Sequence, residues 1–337
     1  MQKNPIIEGS RVTFLWKGKT APHLIDDFHM WEDHPQKMTR IDKEFWAYSM
    51  ELPATAYLEY SFYDPRTKKR IEDPLNKNTV YNGLGHYNHF FYMPGHSPTE
   101  LARLRKNIPR GKVTHHAVDT WMLADDGERD VYLYHPPVKE PVPLLVVYDG
   151  IDYLERGKLN TIVDNLIYEK RIRPIAIAFL QNGDDHRGVE YACSDATIMW
   201  LDNIILPLAR KKLNLLDIAK HSGSYAVLGA SFGGLMSLYT GLRMPDVFGK
   251  VISQSGVFES EGRDYVAVDL LRSKQSREIK IWMDIGQFDW LLEDNRRLQP
   301  LLRENGYNVT YREFSGGHNY TCWRDEVGIA LENLFGV

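Results

Sequence analysis

The stretch Tyr225-Ala226-Val227-Leu228-Gly229-Ala230-Ser231-Phe232-Gly233-Gly234 decides how the rest of this chain is read. An apolar run enters a Gly-x-Ser-x-Gly turn and an amphipathic helical segment leaves it, which is the strand–turn–helix context of a nucleophile elbow. The turn is so tight that side chains two residues before and two after the serine would collide, hence Gly229 and Gly233. Such a turn lifts the Ser231 hydroxyl off the sheet edge, at the positive end of the next helix. The competing reading is a glycine-rich turn in which Ser231 only caps that helix.

Outward from this turn, short apolar runs alternate with helical segments. The runs are residues 144–148, 175–179, 225–229, 250–254, 279–284 and 308–314; the helical segments are 159–169, 196–212, 234–242, 291–304 and 324–334. Unbroken apolar runs suit parallel strands covered on both faces. A hairpin precedes them across Asp125-Asp126-Gly127, joining 117–123 to 130–134. The pattern predicts an α/β domain over 111–337 with a mixed, mostly parallel sheet. Residues 1–110 differ: aromatic alternating runs at 12–16, 45–50 and 57–63 predict a small all-β sandwich. A linker is expected near 93–111, with a short basic helix at 100–106.

Composition narrows the function. The 337 residues are 43% hydrophobic and 26% charged, as in globular proteins, and 41 Lys+Arg against 45 Asp+Glu leave a net charge of −4. A dedicated nucleic-acid binder would carry a basic excess. No apolar run reaches membrane-spanning length and no signal-like segment opens the sequence, so no membrane association and a cytoplasmic location are expected. Two cysteines, Cys193 and Cys322, do not make a disulfide framework.

A serine nucleophile needs a base. His318, in Ser315-Gly316-Gly317-His318-Asn319, directly follows the last strand-like run, and its two glycines let the chain turn back over the sheet edge. His86, His89, His96, His115 and His116 have no metal-ligand spacing, and no metal or organic cofactor is expected. The acid that orients the base should follow a strand between the serine and the histidine. Asp289 is the first choice and Asp284 the second. One oxyanion donor should be the amide of Phe232; the other should come from Asp149-Gly150-Ile151, through Gly150 or Ile151.

These residues resemble the esterase D-like group of α/β-hydrolases, which includes enterochelin (enterobactin) esterases, feruloyl esterases and mycolyltransferases. The likeness runs through 127–137, 143–150, His186-Arg187-Gly188-Val189-Glu190-Tyr191, the elbow, 286–289 and Gly316-Gly317-His318 with Trp323 behind. It implies an α/β-hydrolase fold, a triad of Ser231, Asp289 and His318, and Ile151 as the second oxyanion donor. Val12-Thr13-Phe14-Leu15-Trp16, Met38-Thr39-Arg40, Phe45-Trp46 and Ile71-Glu72-Asp73-Pro74-Leu75-Asn76 resemble the immunoglobulin-like N-terminal domain of enterochelin esterases. There such a domain shapes the substrate pocket; a sandwich that only stabilises its neighbour is the alternative.

Arg187 is read as a substrate-binding residue near the pocket that pairs with an anionic ligand or positions a loop, or else as a local ion-pair partner of Glu190 three residues on. Trp290 and Trp323, with Phe232, are candidates for an aromatic wall against catechol or cinnamoyl rings. The resemblance implies a serine esterase acting on a small-molecule ester, foremost a catecholate siderophore and its ferric complex. A feruloyl or acetyl esterase is the second reading, and a non-catalytic carbohydrate or siderophore binder the third. Asn319, where the family carries an acidic residue, and the 180–185 loop depart from the pattern.

Overall fold

The computed structural model describes residues 3–125, 127–273 and 278–337. The chain forms two compact units. The first is Met1–Pro98 with Gly286–Leu292 and Glu313–Cys322; the second is Thr99–Ile285 with Glu293–Arg312 and Trp323–Val337.

The first unit contains two antiparallel sheets. One orders Ile6–Glu8, Arg11–Lys17, Phe45–Glu51 and Thr39–Arg40; the other orders Gln36–Lys37, His23–Asp26, Tyr57–Asp64, Tyr87–Tyr92 and Thr79–Tyr81, with Lys69–Ile71 also paired to Tyr57–Asp64. Alternation decides what each strand buries. Val12 and Phe14 are fully buried, while Thr13 between them bonds Ser49 across the outer face. Leu24, Leu58, Tyr60, Phe62 and Phe91 from the second sheet complete this core, with Phe288 from the 286–292 segment. The Asp73-Pro74-Leu75-Asn76 turn is fixed from inside. Asp73 accepts from Tyr60 Oη at 2.6 Å, Asn4 Nδ2 at 2.9 Å and the Leu75 amide at 2.8 Å, and Asn76 donates to Tyr60 Oη and the Phe90 carbonyl.

The second unit is built on eight strands: β1 (Lys112–Asp119), β2 (Glu128–His135), β3 (Leu144–Val147), β4 (Ala176–Leu180), β5 (Ala226–Ala230), β6 (Lys250–Gln254), β7 (Lys280–Gly286) and β8 (Asn308–Phe314). Their order is β1-β2-β4-β3-β5-β6-β7-β8. The β1–β2 and β2–β4 pairs are antiparallel; β4–β3, β3–β5, β5–β6 and β6–β7 are parallel. Every residue of β3, β4 and β5 is buried, as two-sided coverage requires. The covering helices are α1 (Gly150–Glu155), α2 (Leu159–Tyr168), α3 (Arg187–Tyr191), α4 (Asp195–Trp200), α5 (Leu206–Lys212), α6 (Phe232–Arg243), α7 (Val266–Arg272), α8 (Leu292–Glu304) and α9 (Tyr320–Phe335). This is an α/β-hydrolase sheet, with an all-β unit formed mainly by the N-terminal residues.

Local departures from expectation have physical causes. The predicted helix at 100–106 is only a 3-10 turn, Glu100–Ala102. Asn165 Nδ2 on α2 binds the carbonyls of Leu101 and Arg103, which a helix would need for itself. The predicted helix 196–212 is interrupted by a π-type turn at Leu201–Ile205, where the Leu206 amide reaches back to the Leu201 carbonyl. Pro207 follows and has no N–H with which to continue an α ladder. The first hairpin strand ends at Asp119, short of 123, because Thr120 turns there: its amide bonds the Gly127 carbonyl at 3.0 Å. Asp126, in the predicted turn, lies outside the described residues. Helices α1, α3 and α7 were not anticipated.

Arg129 on β2 and Glu190 on α3 form a buried bidentate ion pair, at 2.6 and 3.0 Å with both side chains under 5% exposed. Removing one partner of such a pair strands a buried charge. Glu190→Ala should lower the unfolding free energy by about 3 kcal/mol or more, and Glu190→Gln by less, as read by urea denaturation of the two variants beside wild type.

Candidate active site

Ser231 sits between β5 and α6 at φ 58°, ψ −124°, a backbone conformation that side chains rarely adopt. Its amide donates to the Gln254 carbonyl of β6 at 2.9 Å, and its carbonyl accepts from Gly234 and Leu235 in the first turn of α6. The glycines are a steric requirement. A Cβ on Gly229 would stand 2.3 Å from the Gly233 carbonyl oxygen, and one on Gly234 would stand 2.8 Å from Ser253 Oγ. The Ser231 hydroxyl makes no capping bond to α6, so the cap-only reading does not describe this serine. Phe232 is the first residue of α6, and first-turn amides have no acceptor inside their own helix.

The loop after β3 brings a second such amide. Asp149 adopts the left-handed conformation at φ 52°, and α1 begins immediately at Gly150. A Cβ on Gly150 would lie 2.3 Å from the Leu180 amide nitrogen, so only glycine lets this loop close on β4. Ile151 is the second residue of α1. Asp149 is buried and accepts from Arg187 Nε at 2.6 Å, Arg187 Nη2 at 2.7 Å and Asn182 Nδ2 at 2.8 Å. Of the alternatives for Arg187, the ion pair with Glu190 does not form. Arg187 reaches Asp149, and Glu190 is taken by Arg129. Neither Asp149 nor Asn182 was singled out from sequence, although Asp149 stands in the Tyr148-Asp149-Gly150 block.

Asp289 and His318 meet within the first unit. His318 Nδ1 lies 2.7 Å from Asp289 Oδ2, while Asp289 Oδ1 accepts from the Leu291 amide at 3.0 Å. The Asp289 side chain is fully buried and that of His318 is 11% exposed. Their loops are held in register by Gln287 N–H to the Phe314 carbonyl and Phe288 N–H to the Gly316 carbonyl. Close packing demands both glycines before the histidine. A Cβ on Gly316 would stand 2.4 Å from Cys322 Sγ, and one on Gly317 would stand 2.4 Å from Asp27 Cβ. Asn319, the family departure, ties two segments of this unit. Its Oδ1 accepts from the Cys322 amide in the first turn of α9, and its Nδ2 donates to Asp27. Asp27 is wholly buried, and burial, with Glu59 adding to it, holds its carboxyl well above the usual range. The Trp290 ring lies 4.3 Å from the His318 ring and is 47% exposed.

Asp284, the alternative acid, is committed elsewhere. It accepts from Trp282 Nε1 at 2.7 Å and from Gln254 Nε2 at 3.1 Å. Gln254 in turn accepts from Tyr153 Oη of α1 at 2.9 Å, so one buried amide side chain joins β6, β7 and α1. Trp323 belongs to the same region: it is 4% exposed, and its indole N–H donates to Ser255 Oγ at 3.0 Å. It packs as a brace and presents no open face for a substrate ring. Among the described residues no group of three or more His, Cys, Asp or Glu is placed to hold a metal ion, and no helix is long and apolar enough to cross a membrane. Cys193 and Cys322 are buried and unbridged.

Burial pushes the Asp284 carboxyl up to about 7. Its folded pKa therefore exceeds the unfolded value of roughly 4, and the native state holds the extra proton between them. This group's contribution is most favourable below pH 4 and is lost as pH rises through 7. The stability of Asp284→Asn relative to wild type should consequently improve between pH 5 and pH 8 in denaturant titrations; a pH-independent difference would contradict this.

The Esterase family model, described as "Putative esterase", matches residues 124–331. An iron(III) enterobactin esterase of Escherichia coli K12 is 25% identical over 276 residues, covering 79% of this chain and 67% of that one. An iron(III) salmochelin esterase of Escherichia coli O6:H1 is 22% identical and covers 95% of this chain and 87% of its own. The crystal structure of a ferric enterobactin esterase from Salmonella typhimurium superposes with a TM-score of 0.81 at 23% identity, over 98% of this chain and 95% of that one. The likeness in structure thus takes in the antiparallel sheets as well as the eight-stranded sheet. A family model that matches well over half of the residues, on a chain with this elbow and this sheet order, means that the protein belongs to the Esterase family of α/β-hydrolases.

Proposed function

We propose that this protein is a serine esterase that opens the ester bonds of a catecholate siderophore, working in the cytoplasm on the ferric complex of a trilactone. The chemistry rests on one observation above all, the positive-φ Ser231 at the head of α6. The substrate class rests on the iron(III) enterobactin and salmochelin esterases among its relatives.

In this reading Ser231 Oγ attacks the ester carbonyl while His318 takes the hydroxyl proton. Asp289 holds the Nδ1 proton of His318 and balances the imidazolium charge. The amides of Phe232 and Ile151 receive the negative charge that develops on the carbonyl oxygen. His318 then protonates the departing alkoxide, leaving an acyl group on Ser231. Water, deprotonated by the same histidine, releases the acid and restores the serine. No resident metal or organic cofactor enters; iron is cargo of the substrate. Trp290, half exposed beside the imidazole, offers an aromatic face to a catechol ring. Functionally the chain divides into residues 1–110, which contribute to substrate selection, and a catalytic domain over 111–337. A binding protein without activity would have no need to keep all of Ser231, Asp289 and His318.

Ferric and iron-free enterobactin, incubated with purified protein and resolved by liquid chromatography, should give linear catechoyl-serine products. Ser231→Ala should lower the rate at least about 10⁴-fold, and Asp289→Asn by about the same factor. Turnover of feruloyl or acetyl esters with no cleavage of the trilactone would replace the substrate assignment. Equal turnover by wild type and Ser231→Ala would remove the mechanism.

A further inference from the structure

The loop that carries His318 is fastened at alternate residues to the N-terminal part of the first unit. The Ser315 carbonyl accepts from the Tyr57 amide at 3.1 Å, and its hydroxyl accepts from Thr55 Oγ1 at 3.1 Å. The Gly317 backbone comes so close to Asp27 that an added Cβ would stand 2.4 Å from both Cβ and Cγ of that residue. Asn319 Nδ2 donates to Asp27 Oδ2 at 3.1 Å. Thr321 Oγ1 lies 3.2 Å from Tyr57 Oη, which also donates to Glu59 Oε1 at 3.0 Å. His318 is therefore flanked on both sides by residues seated on one buried aspartate.

Asp27 is itself held from several directions. Its Oδ2 also accepts from the Glu59 amide at 2.9 Å, and its Oδ1 accepts from Trp31 Nε1 at 3.3 Å. It opens a 3-10 turn, Asp27–His29, which Asp26 caps by accepting from the Phe28 and His29 amides. Met30 and Trp31, which follow, are both left-handed at φ 57° and 54°. Side chains stay in that conformation only where the surroundings over-determine it, and such strain collects at functional sites. A buried carboxyl next to a second, Glu59, is also a costly way to make a contact that only fills space. We infer that Asp27, acting through Asn319 and Gly317, is a positioning residue for the general base: it seats the 316–319 loop so that the His318 imidazole keeps its bond to Asp289. The inference rests on the serine-esterase reading above, and it gives the N-terminal sheets a part in the chemistry besides substrate selection. It also accounts for Asn319. An acidic side chain there would set another carboxyl against Asp27 and would lose the N–H that Asp27 receives.

The test compares wild type, Asn319→Asp, Asn319→Ala and Asp27→Asn on p-nitrophenyl acetate and on ferric enterobactin. Asn319→Asp keeps the oxygen that accepts from the Cys322 amide, so it removes the bond to Asp27 and leaves the first turn of α9 capped. That makes it the probe least exposed to misfolding. A positioning role predicts that kcat falls about 10²-fold on both substrates in each variant, as for a reacting group displaced by about 1 Å, with KM changed by less than about twofold. A second readout needs no turnover. The proton between His318 Nδ1 and Asp289 should give a low-field NMR resonance that is lost in Asp289→Asn. It should shift or broaden away in the Asn319 and Asp27 variants. An unmoved resonance in Asn319→Asp, or a kcat within about twofold of wild type, would overturn the inference whatever happens to thermal stability. A raised KM with kcat intact would overturn it too, and would place Asn319 in substrate binding. Loss of the esterase reading itself would look different, since wild type and Ser231→Ala would then hydrolyse the neutral ester equally, while the resonance would still report the seating of the loop.

Discussion

The organisation of the second unit follows from holding one serine at φ 58° at the end of a central strand. That conformation is uphill for any residue with a side chain, so the surroundings must over-determine it. β6 supplies the Gln254 carbonyl for the serine amide, and α6 supplies two amides for its carbonyl. Glycines at 229, 233 and 234 clear the space that side chains would occupy. A parallel sheet with helices on both faces provides such rigidity, and it places the strand end where a helix can start at once.

The same economy recurs around the elbow, where buried polar side chains each serve more than one element. Gln254 offers its backbone to Ser231, its side-chain oxygen to Tyr153 on α1 and its side-chain amide to Asp284 on β7. Arg187 joins the loop after β3 to the end of β5. In the first unit, Asp27 receives bonds from the Glu59 amide and from Asn319, beside the Gly317 that precedes the histidine. These groups do not react with substrate in the proposed mechanism. They convert the loop conformations at strand ends into fixed positions, which loops alone do not provide.

Much of this was legible in the sequence because it is written in local rules. Two-sided burial shows as unbroken apolar runs at 225–229 and 175–179, one residue off the strands Ala226–Ala230 and Ala176–Leu180, and the glycine spacing around Ser231 reflects the steric demand of a tight strand-to-helix turn. His318 and Asp289, singled out from their places after the last strand and the one before it, are hydrogen-bonded to each other. Long-range side-chain choices were not legible. Nothing in Arg187-Gly188-Val189-Glu190 says that the arginine bonds a residue 38 positions earlier while the glutamate bonds one 61 positions earlier. Trp323 looked like a wall for a substrate ring, yet its indole N–H is spent on Ser255 inside the unit. The helix expected at 100–106 failed for a similar reason, since Asn165, far along the chain, takes the carbonyls it required.

The central claim is that Ser231 forms a covalent bond with the carbonyl carbon of its substrate. Treating the native protein with a fluorophosphonate and mapping the adduct by peptide mass spectrometry tests it most directly, because the reagent reports the nucleophile whatever the natural ester is. The account predicts a single stoichiometric adduct on Ser231, formed with concurrent loss of esterase activity. Modification of a different residue, or full loss of activity with Ser231 unmodified, would contradict it.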